Sequence, residues 1–334
     1  MAQEIREDIT TRDRVIFAGG RGDRPSDFEE ESPRTEGLPE YDPACPFCPG
    51  NENLIPPILE EFPGGEREWW VRVIPNKYPI LDRERERFDA PDTFYQSRPA
   101  GGKHEIIIEN PRHDLDLSDF SAEALTAVLE AYRRRWREIR EKYPEFKIVI
   151  FRNRGVEAGT SLLHPHSQLI AGSLTSPLLK RREEISREYF LENKRCLYCD
   201  IVSEEEREGR RVVAGDESFL VFVPFAAVVP FETWIIPRKH QPEFGGIAPA
   251  EIPDLARRLK KILRTLKHCL GDFSYNYIFS APFLSPQSAF FSHWHLKIHP
   301  RITRAAGFEL ETGIRVNPIL PETAAARLRE KLSD

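Results

Sequence analysis

One ordered set of chemical groups occurs twice along this chain, and that repetition constrains its fold more than any other feature. The first set opens with CPFC (Cys45 and Cys48), the second with CLYC (Cys196 and Cys199). An aromatic and β-branched run follows each pair, WWVRVIPNKYPIL (69–81) or FLVFVPFAAVVPF (219–231). A strand-like run then ends in a proline turn and a histidine: HEIIIENPRH reaches His113, and ETWIIPRKH reaches His240. Next comes an amphipathic helix. Leu125, Val128, Leu129, Tyr132, Trp136 and Ile139 recur at helical spacing in one, and Ile252, Leu255, Leu259, Ile262, Leu263 and Leu266 in the other. Pro144 and Gly271 mark where each helix should stop. A strand follows, FKIVIF (146–151) or FSYNYIF (273–279), then a loop and a second strand carrying H-x-H: His164/His166, or His293/His295. His113 and His164 are 51 residues apart, His240 and His293 53. With 334 residues the chain can hold two such halves, and 40% apolar content can supply their cores.

The repeat makes a metal assignment concrete. Of five cysteines, four sit in C-x-x-C pairs, a spacing that holds metal or does redox chemistry more often than it forms structural disulfides in a reducing compartment. Each half offers two thiols, a histidine after a proline turn and the first histidine of H-x-H. Two thiolates and two imidazoles suit tetrahedral zinc. The expected ligands are Cys45, Cys48, His113 and His164 for one site, and Cys196, Cys199, His240 and His293 for the other. Both sets are complete, which predicts two structural zinc sites. His295 and His299 are spare imidazoles near the second, so its fourth ligand stays open. Cys269, on a helical pattern, reads as a buried small hydrophobe. His104 and His268 have no constellation around them in the sequence.

The halves differ where chemistry is expected. The first continues His164-Pro165-His166-Ser167-Gln168, and in an extended strand residues two apart share a face. A neutral imidazole at His166 can attack phosphorus. Gln168 can only hydrogen-bond, so nothing there activates water and a covalent intermediate would wait for a second substrate. Activity is then expected to fall as acid protonates His166. The preceding loop, NRGVEAGTSLL, offers small residues and hydroxyls to a phosphate. The second half continues His295-Leu296-Lys297 after the apolar loop APFLSPQSAFF and reads as scaffold.

The net charge of −6 argues against general nucleic-acid binding. No apolar run approaches membrane-spanning length, and the charged start MAQEIREDITTRD lacks a signal peptide's apolar region, so a cytoplasmic protein is expected.

EIREDITTRDRVIF, RGDRPSDF, CPFC, NPRH, FRNRG, GTSLLHPHSQ, REYF and GFELETGIRVNP, in this order, resemble the galactose-1-phosphate uridylyltransferases, the transferase branch of the histidine-triad superfamily, over nearly the whole length. The resemblance implies an α+β fold of two pseudo-symmetric histidine-triad-like halves, each an antiparallel sheet with a packed helix. We place the division at residues 1–180, catalytic, and 181–334. It also implies a homodimer acting on a nucleoside diphosphate hexose and a hexose 1-phosphate. By the same resemblance His166 is the nucleophile, Gln168 hydrogen-bonds the nucleotidyl phosphate, and Ser161 contacts phosphate. Arg21 and Arg24 lie near the nucleotide phosphates, and Asn76 and Asn153 lie in segments that help form the nucleotide site.

Two departures stand out. The best-known members use a carboxylate with histidines at the second metal, where this chain aligns Arg182 and supplies Cys196 and Cys199 downstream. That pattern resembles a double-zinc subgroup that includes ADP-glucose phosphorylases, which use inorganic phosphate as acceptor. Ser167 replaces the glycine of the commonest HPHGQ form. Three readings follow: uridylyl transfer between UDP-glucose and galactose 1-phosphate, which leads; adenylyl handling, as in a phosphorylase; and a catalytically silent, zinc-containing nucleotide-binding protein.

Overall fold

The computed structural model describes residues 3–19, 37–64, 67–82, 94–95, 97, 99–173, 176–281, 283 and 285–332. Arg21 and Arg24 lie outside them. In chain order the elements are β1 (Glu4–Glu7), β2 (Arg14–Phe17), β3 (Glu60–Gly64), β4 (Arg67–Pro75), β5 (Gly102–Ile108), α1 (Ala122–Lys142), β6 (Lys147–Arg154), β7 (His166–Gly172), α2 (Pro177–Asn193) and α3 (Leu197–Glu208). They continue with β8 (Val212–Gly215), β9 (Phe219–Phe222), β10 (Thr233–Pro237), α4 (Ile252–Leu270), β11 (Tyr275–Ser280), β12 (His295–Pro300), α5 (Gly307–Thr312), β13 (Arg315–Asn317) and α6 (Pro321–Leu332).

Both helices expected from apolar spacing form. Ser121 caps α1 by accepting the Ala124 N–H at 3.1 Å, and the apolar stripe from Leu125 to Ile139 is buried. Gly271 ends α4 with φ of 74°, a conformation glycine adopts without strain. The 219–231 run becomes a strand only over Phe219–Phe222, because Pro224 and Pro230 have no N–H to give a ladder.

Ten strands form one antiparallel sheet in the order β3-β4-β5-β7-β6-β11-β12-β10-β9-β8. Read inward from either end, the two halves have the same arrangement, and β6 pairs β11 at the seam, from Tyr275↔Arg154 to Phe279↔Ile150. The two expected sheets are thus joined edge to edge, which leaves neither inner edge open to another strand. α1 and α4 pack against each other and with one face of the sheet, in a core that includes Leu129, Trp136, Leu169, Leu259, Tyr277 and Leu296. A second sheet, β1-β2-β13, ties the start of the chain to its end. Residue 180 falls inside α2, whose Ile185 packs with Tyr198 and Trp234 of the second half.

A buried polar layer crosses the seam. Glu109, fully buried, accepts hydrogen bonds from the hydroxyls of Tyr132 at 2.7 Å and Tyr277 at 3.2 Å, and from Arg152 Nε at 2.8 Å. Arg152 also reaches Asp116 at 2.8 Å and Tyr275 at 2.6 Å. Removing one member of a buried pair strands its partner's charge. Arg152→Met is therefore expected to lower unfolding free energy by about 3–5 kcal/mol, measured by urea titration. A loss below about 1 kcal/mol would mean that the two tyrosines suffice for Glu109.

Candidate active site and paired metal sites

β7 lies between β5 and β6, and its alternation sends Leu169 and Ala171 into the helix-packed core. His166 and Gln168 therefore take the opposite face. Pro165 stands just before the strand, where its missing N–H costs no ladder bond, and its carbonyl accepts the Glu109 N–H at 3.0 Å. His166 Nδ1 is 2.8 Å from the carbonyl oxygen of His164. A carbonyl only accepts, so Nδ1 carries the proton and Nε2 carries the lone pair. Burial pushes the His166 imidazole below its ordinary range, opposed by that carbonyl bond. Phe47 from the CPFC loop packs edge-on, 5.4 Å between ring centres.

Gln168 does not stand alone. Its Oε1 is 2.8 Å from His104 Nε2, and Asn76 Nδ2 lies 3.1 Å from the same nitrogen. No constellation around His104 is visible in the sequence, yet the fold gives it Gln168 and Asn76 as neighbours. His104 pairs with Ile170 across β5 and β7, one diagonal step from Gln168. The alternation His104, Ile106, Ile108 carried the signal, because Ile106 and Ile108 face the CPFC loop. Asn153, on β6, accepts a hydrogen bond at Oδ1 from Asn276 Nδ2 at 2.8 Å. Ser161 sits on an exposed bend three residues before His164. Gly155 shapes that loop with φ of 84°, and a Cβ there would collide with Ser274 Oγ.

Both four-residue sets come together: the ligand atoms of Cys45, Cys48, His113 and His164 lie within 4.8 Å of one another, as do those of Cys196, Cys199, His240 and His293. Cys48 Sγ is 3.6 Å from Nδ1 of both His113 and His164, and Cys199 Sγ is 3.5 Å and 3.6 Å from Nδ1 of His240 and His293. A tetrahedral ion with ordinary Zn–S and Zn–N lengths gives sulfur–nitrogen edges of about 3.5 Å. His164 Nε2 donates to the Asn110 carbonyl at 2.7 Å and His240 Nε2 to the Ala289 carbonyl at 2.8 Å, which leaves Nδ1 free to ligate. Burial holds His164 down to about 3, in the neutral form a ligand needs, and pushes the Cys45 thiol up to about 11. A cation is what would keep that buried sulfur as thiolate. Each set can hold a metal ion. His299 is engaged elsewhere, with Nε2 3.4 Å from Glu232.

The second half closes the place equivalent to His166. His295 is fully buried and lies between Trp234, at 4.4 Å, and Tyr198, at 5.1 Å, both nearly parallel to it. Lys297 Nζ sits 4.2 Å from the Trp234 ring centre. Arg182, aligned in the sequence with the carboxylate of the best-known members, donates to Ser280 Oγ at 3.1 Å, and a guanidinium cannot ligate a metal. Cys269 is half-buried rather than enclosed. Among the described residues no helix is long and apolar enough to cross a membrane.

Comparison with known proteins agrees with this architecture. Residues 1–175 match the family model for the galactose-1-phosphate uridyl transferase N-terminal domain, and residues 182–334 match its C-terminal domain. The chain is 35% identical to the ADP-glucose phosphorylase of Arabidopsis thaliana, over 98% of this chain and 92% of that one. It is 29% identical to the galactose-1-phosphate uridylyltransferase of Haemophilus influenzae, over 94% and 90%. The crystal structure of an Arabidopsis thaliana ADP-glucose phosphorylase with bound ADP-glucose superposes with a TM-score of 0.83 at 32% identity, covering 98% of this chain and 99% of that one. A uridylyltransferase structure superposes with a TM-score of 0.74 at 29% identity, covering 99% of each. The chain belongs to the galactose-1-phosphate uridyl transferase family.

Proposed function

We propose that this enzyme transfers a nucleotidyl group from a nucleoside diphosphate hexose to a second phosphate-bearing acceptor, with His166 as the nucleophile. The observation that carries the reading is the hydrogen bond from His166 Nδ1 to the His164 carbonyl, which leaves Nε2 as a lone pair in a neutral ring. Nε2 attacks the α-phosphorus, and the bond to the hexose 1-phosphate oxygen breaks with its electron pair. An oxygen of the incoming phosphate or hexose 1-phosphate later attacks the same phosphorus and displaces Nε2. Gln168 donates to the phosphoryl oxygens without activating water, so the intermediate survives between the two steps. Asn76, Asn153 and Ser161 would contribute to the nucleotide pocket, and the family resemblance assigns contacts with its phosphates to Arg21 and Arg24.

The two Cys2His2 sets suit zinc in a structural role. The first ties the CPFC loop and the turn after β5 to His164, and so fixes the carbonyl that orients His166. The homodimer and the cytoplasmic setting expected from the sequence belong to this proposal.

Uridylyl transfer leads in the sequence reading. ADP-glucose with inorganic phosphate gains support from the 35% identity to an ADP-glucose phosphorylase and from the second Cys2His2 set. The experiment is intact mass after brief incubation with ADP-glucose and, separately, UDP-glucose. We expect a covalent adduct, adenylyl in preference to uridylyl. A uridylyl adduct alone would return the enzyme to galactose 1-phosphate transfer, and no adduct from either would remove His166 from the nucleophile's role.

A further inference from the structure

We propose that His104 and Asn276 are positioning residues that lock the amides of Gln168 and Asn153 so that both, like the backbone-fixed Asn76, present N–H donors to the substrate. The proposal rests on the nucleotidyl-transfer reading above. An amide side chain can turn either end toward a ligand, and a phosphate accepts hydrogen bonds only from the nitrogen end. Backbone groups decide the matter, because a peptide N–H only donates and a carbonyl only accepts.

The chain of orientation starts at Ile80, whose N–H points to His104 Nδ1 at 3.2 Å. Nδ1 must accept, so in the neutral ring Nε2 carries the proton. That Nε2–H, 2.8 Å from Gln168, needs an acceptor, which turns the Gln168 oxygen toward His104 and its nitrogen away. Asn76 is fixed in the same manner: its Oδ1 accepts the Tyr78 N–H at 2.8 Å, so Nδ2 is its free end. Nδ2 lies 3.1 Å from His104 Nε2, where two donors face each other without bonding, and its hydrogens remain available to a ligand. Burial keeps His104 neutral by pushing it below the usual imidazole range.

Asn276 performs the same service from the second half. Its Nδ2 donates to the Ala158 carbonyl at 2.9 Å, which fixes the nitrogen on that side. The same nitrogen meets Asn153 at 2.8 Å, so Asn153 turns its oxygen inward and its nitrogen outward. Asn276 and Asn153 are register partners across the β6–β11 seam. The half that carries no nucleophile therefore sets the hydrogen-bond polarity of the half that does.

A double-mutant cycle on the full-length protein tests this. The variants are His104→Phe, Gln168→Ala and the double variant, with single-turnover adduct formation and the KM for the nucleotide sugar as readouts. Expected for His104→Phe is a rate about 10- to 100-fold slower with KM changed less than about threefold. Expected for the double variant is a rate no slower than Gln168→Ala alone, because His104 acts only through Gln168. Rates that multiply in the double variant, or a His104→Phe rate within about twofold of the parent, would overturn the proposal. If His104→Phe does not fold by circular dichroism, the cycle of Asn276→Ala with Asn153→Ala applies the same criteria. If the parent forms no adduct, the functional reading has failed. The wiring is then judged by the same cycle on calorimetric binding of ADP and UDP, where a His104→Phe loss that vanishes once Gln168 is alanine upholds it, and no loss, or losses that add in the double variant, overturns it.

Discussion

His166→Ala should form no covalent adduct with ADP-glucose or UDP-glucose and should lose turnover by about 10⁴-fold or more, while keeping its fold. No neighbouring group can substitute. Gln168 has no nucleophilic atom, and Ser167 is fully buried on the face opposite His166. Ser161 is exposed. His295→Ala provides the contrast. That imidazole also faces its neighbour's carbonyl, with Nδ1 3.3 Å from the His293 oxygen, but Trp234 and Tyr198 enclose it. Its removal should leave adduct formation within about threefold of the parent and appear mainly as lost stability, as expected when a packed ring is deleted. Mass spectrometry and melting curves on both variants separate the two roles. An adduct that persists in His166→Ala would refute the assignment.

Much of this arrangement was legible in the sequence. The twofold occurrence of C-x-x-C, histidine and H-x-H assembled both metal quartets, because ligands of one set must converge however far apart they lie in the chain. The two amphipathic helices were legible because their apolar stripes are long and regular. The seam was not. β6 and β11 read as ordinary strands, and nothing local says that Ile150 will pair with Phe279 more than a hundred residues away. His104 was missed for a related reason: its partners Asn76 and Gln168 come from two other segments, and a diagonal neighbour depends on strand register. The closure of the second half was half legible. The apolar loop before His293 suggested scaffold, but the rings that cover His295 come from α3 and β10.

The largest stability effect should come from the first metal set. Cys48→Ala is expected to lose one equivalent of bound zinc, lower the melting temperature by about 10 °C or more and abolish adduct formation. Cys48 Sγ faces both His113 and His164, and it also accepts the Asp42 N–H at 3.3 Å. Its loss therefore frees the CPFC loop, the turn after β5 and the entry to β7 together. Binding of a structural zinc is worth about 10 kcal/mol or more in small domains, comparable with the whole stability of an ordinary protein. The catalytic consequence follows from geometry, because the His164 carbonyl sets the tautomer of His166 and His164 belongs to the quartet. Cys199→Ala should behave differently. Its quartet includes the exposed His240, and the H-x-H it anchors carries the enclosed His295, not His166. It too should lose one equivalent of zinc and some stability, yet keep adduct formation within about tenfold. Metal analysis, melting curves and single-turnover rates on the two variants test the asymmetry directly. Equal losses of adduct formation would mean that the seam transmits damage from the second site to His166, and full metal content in Cys48→Ala would show that Cys48 is no ligand.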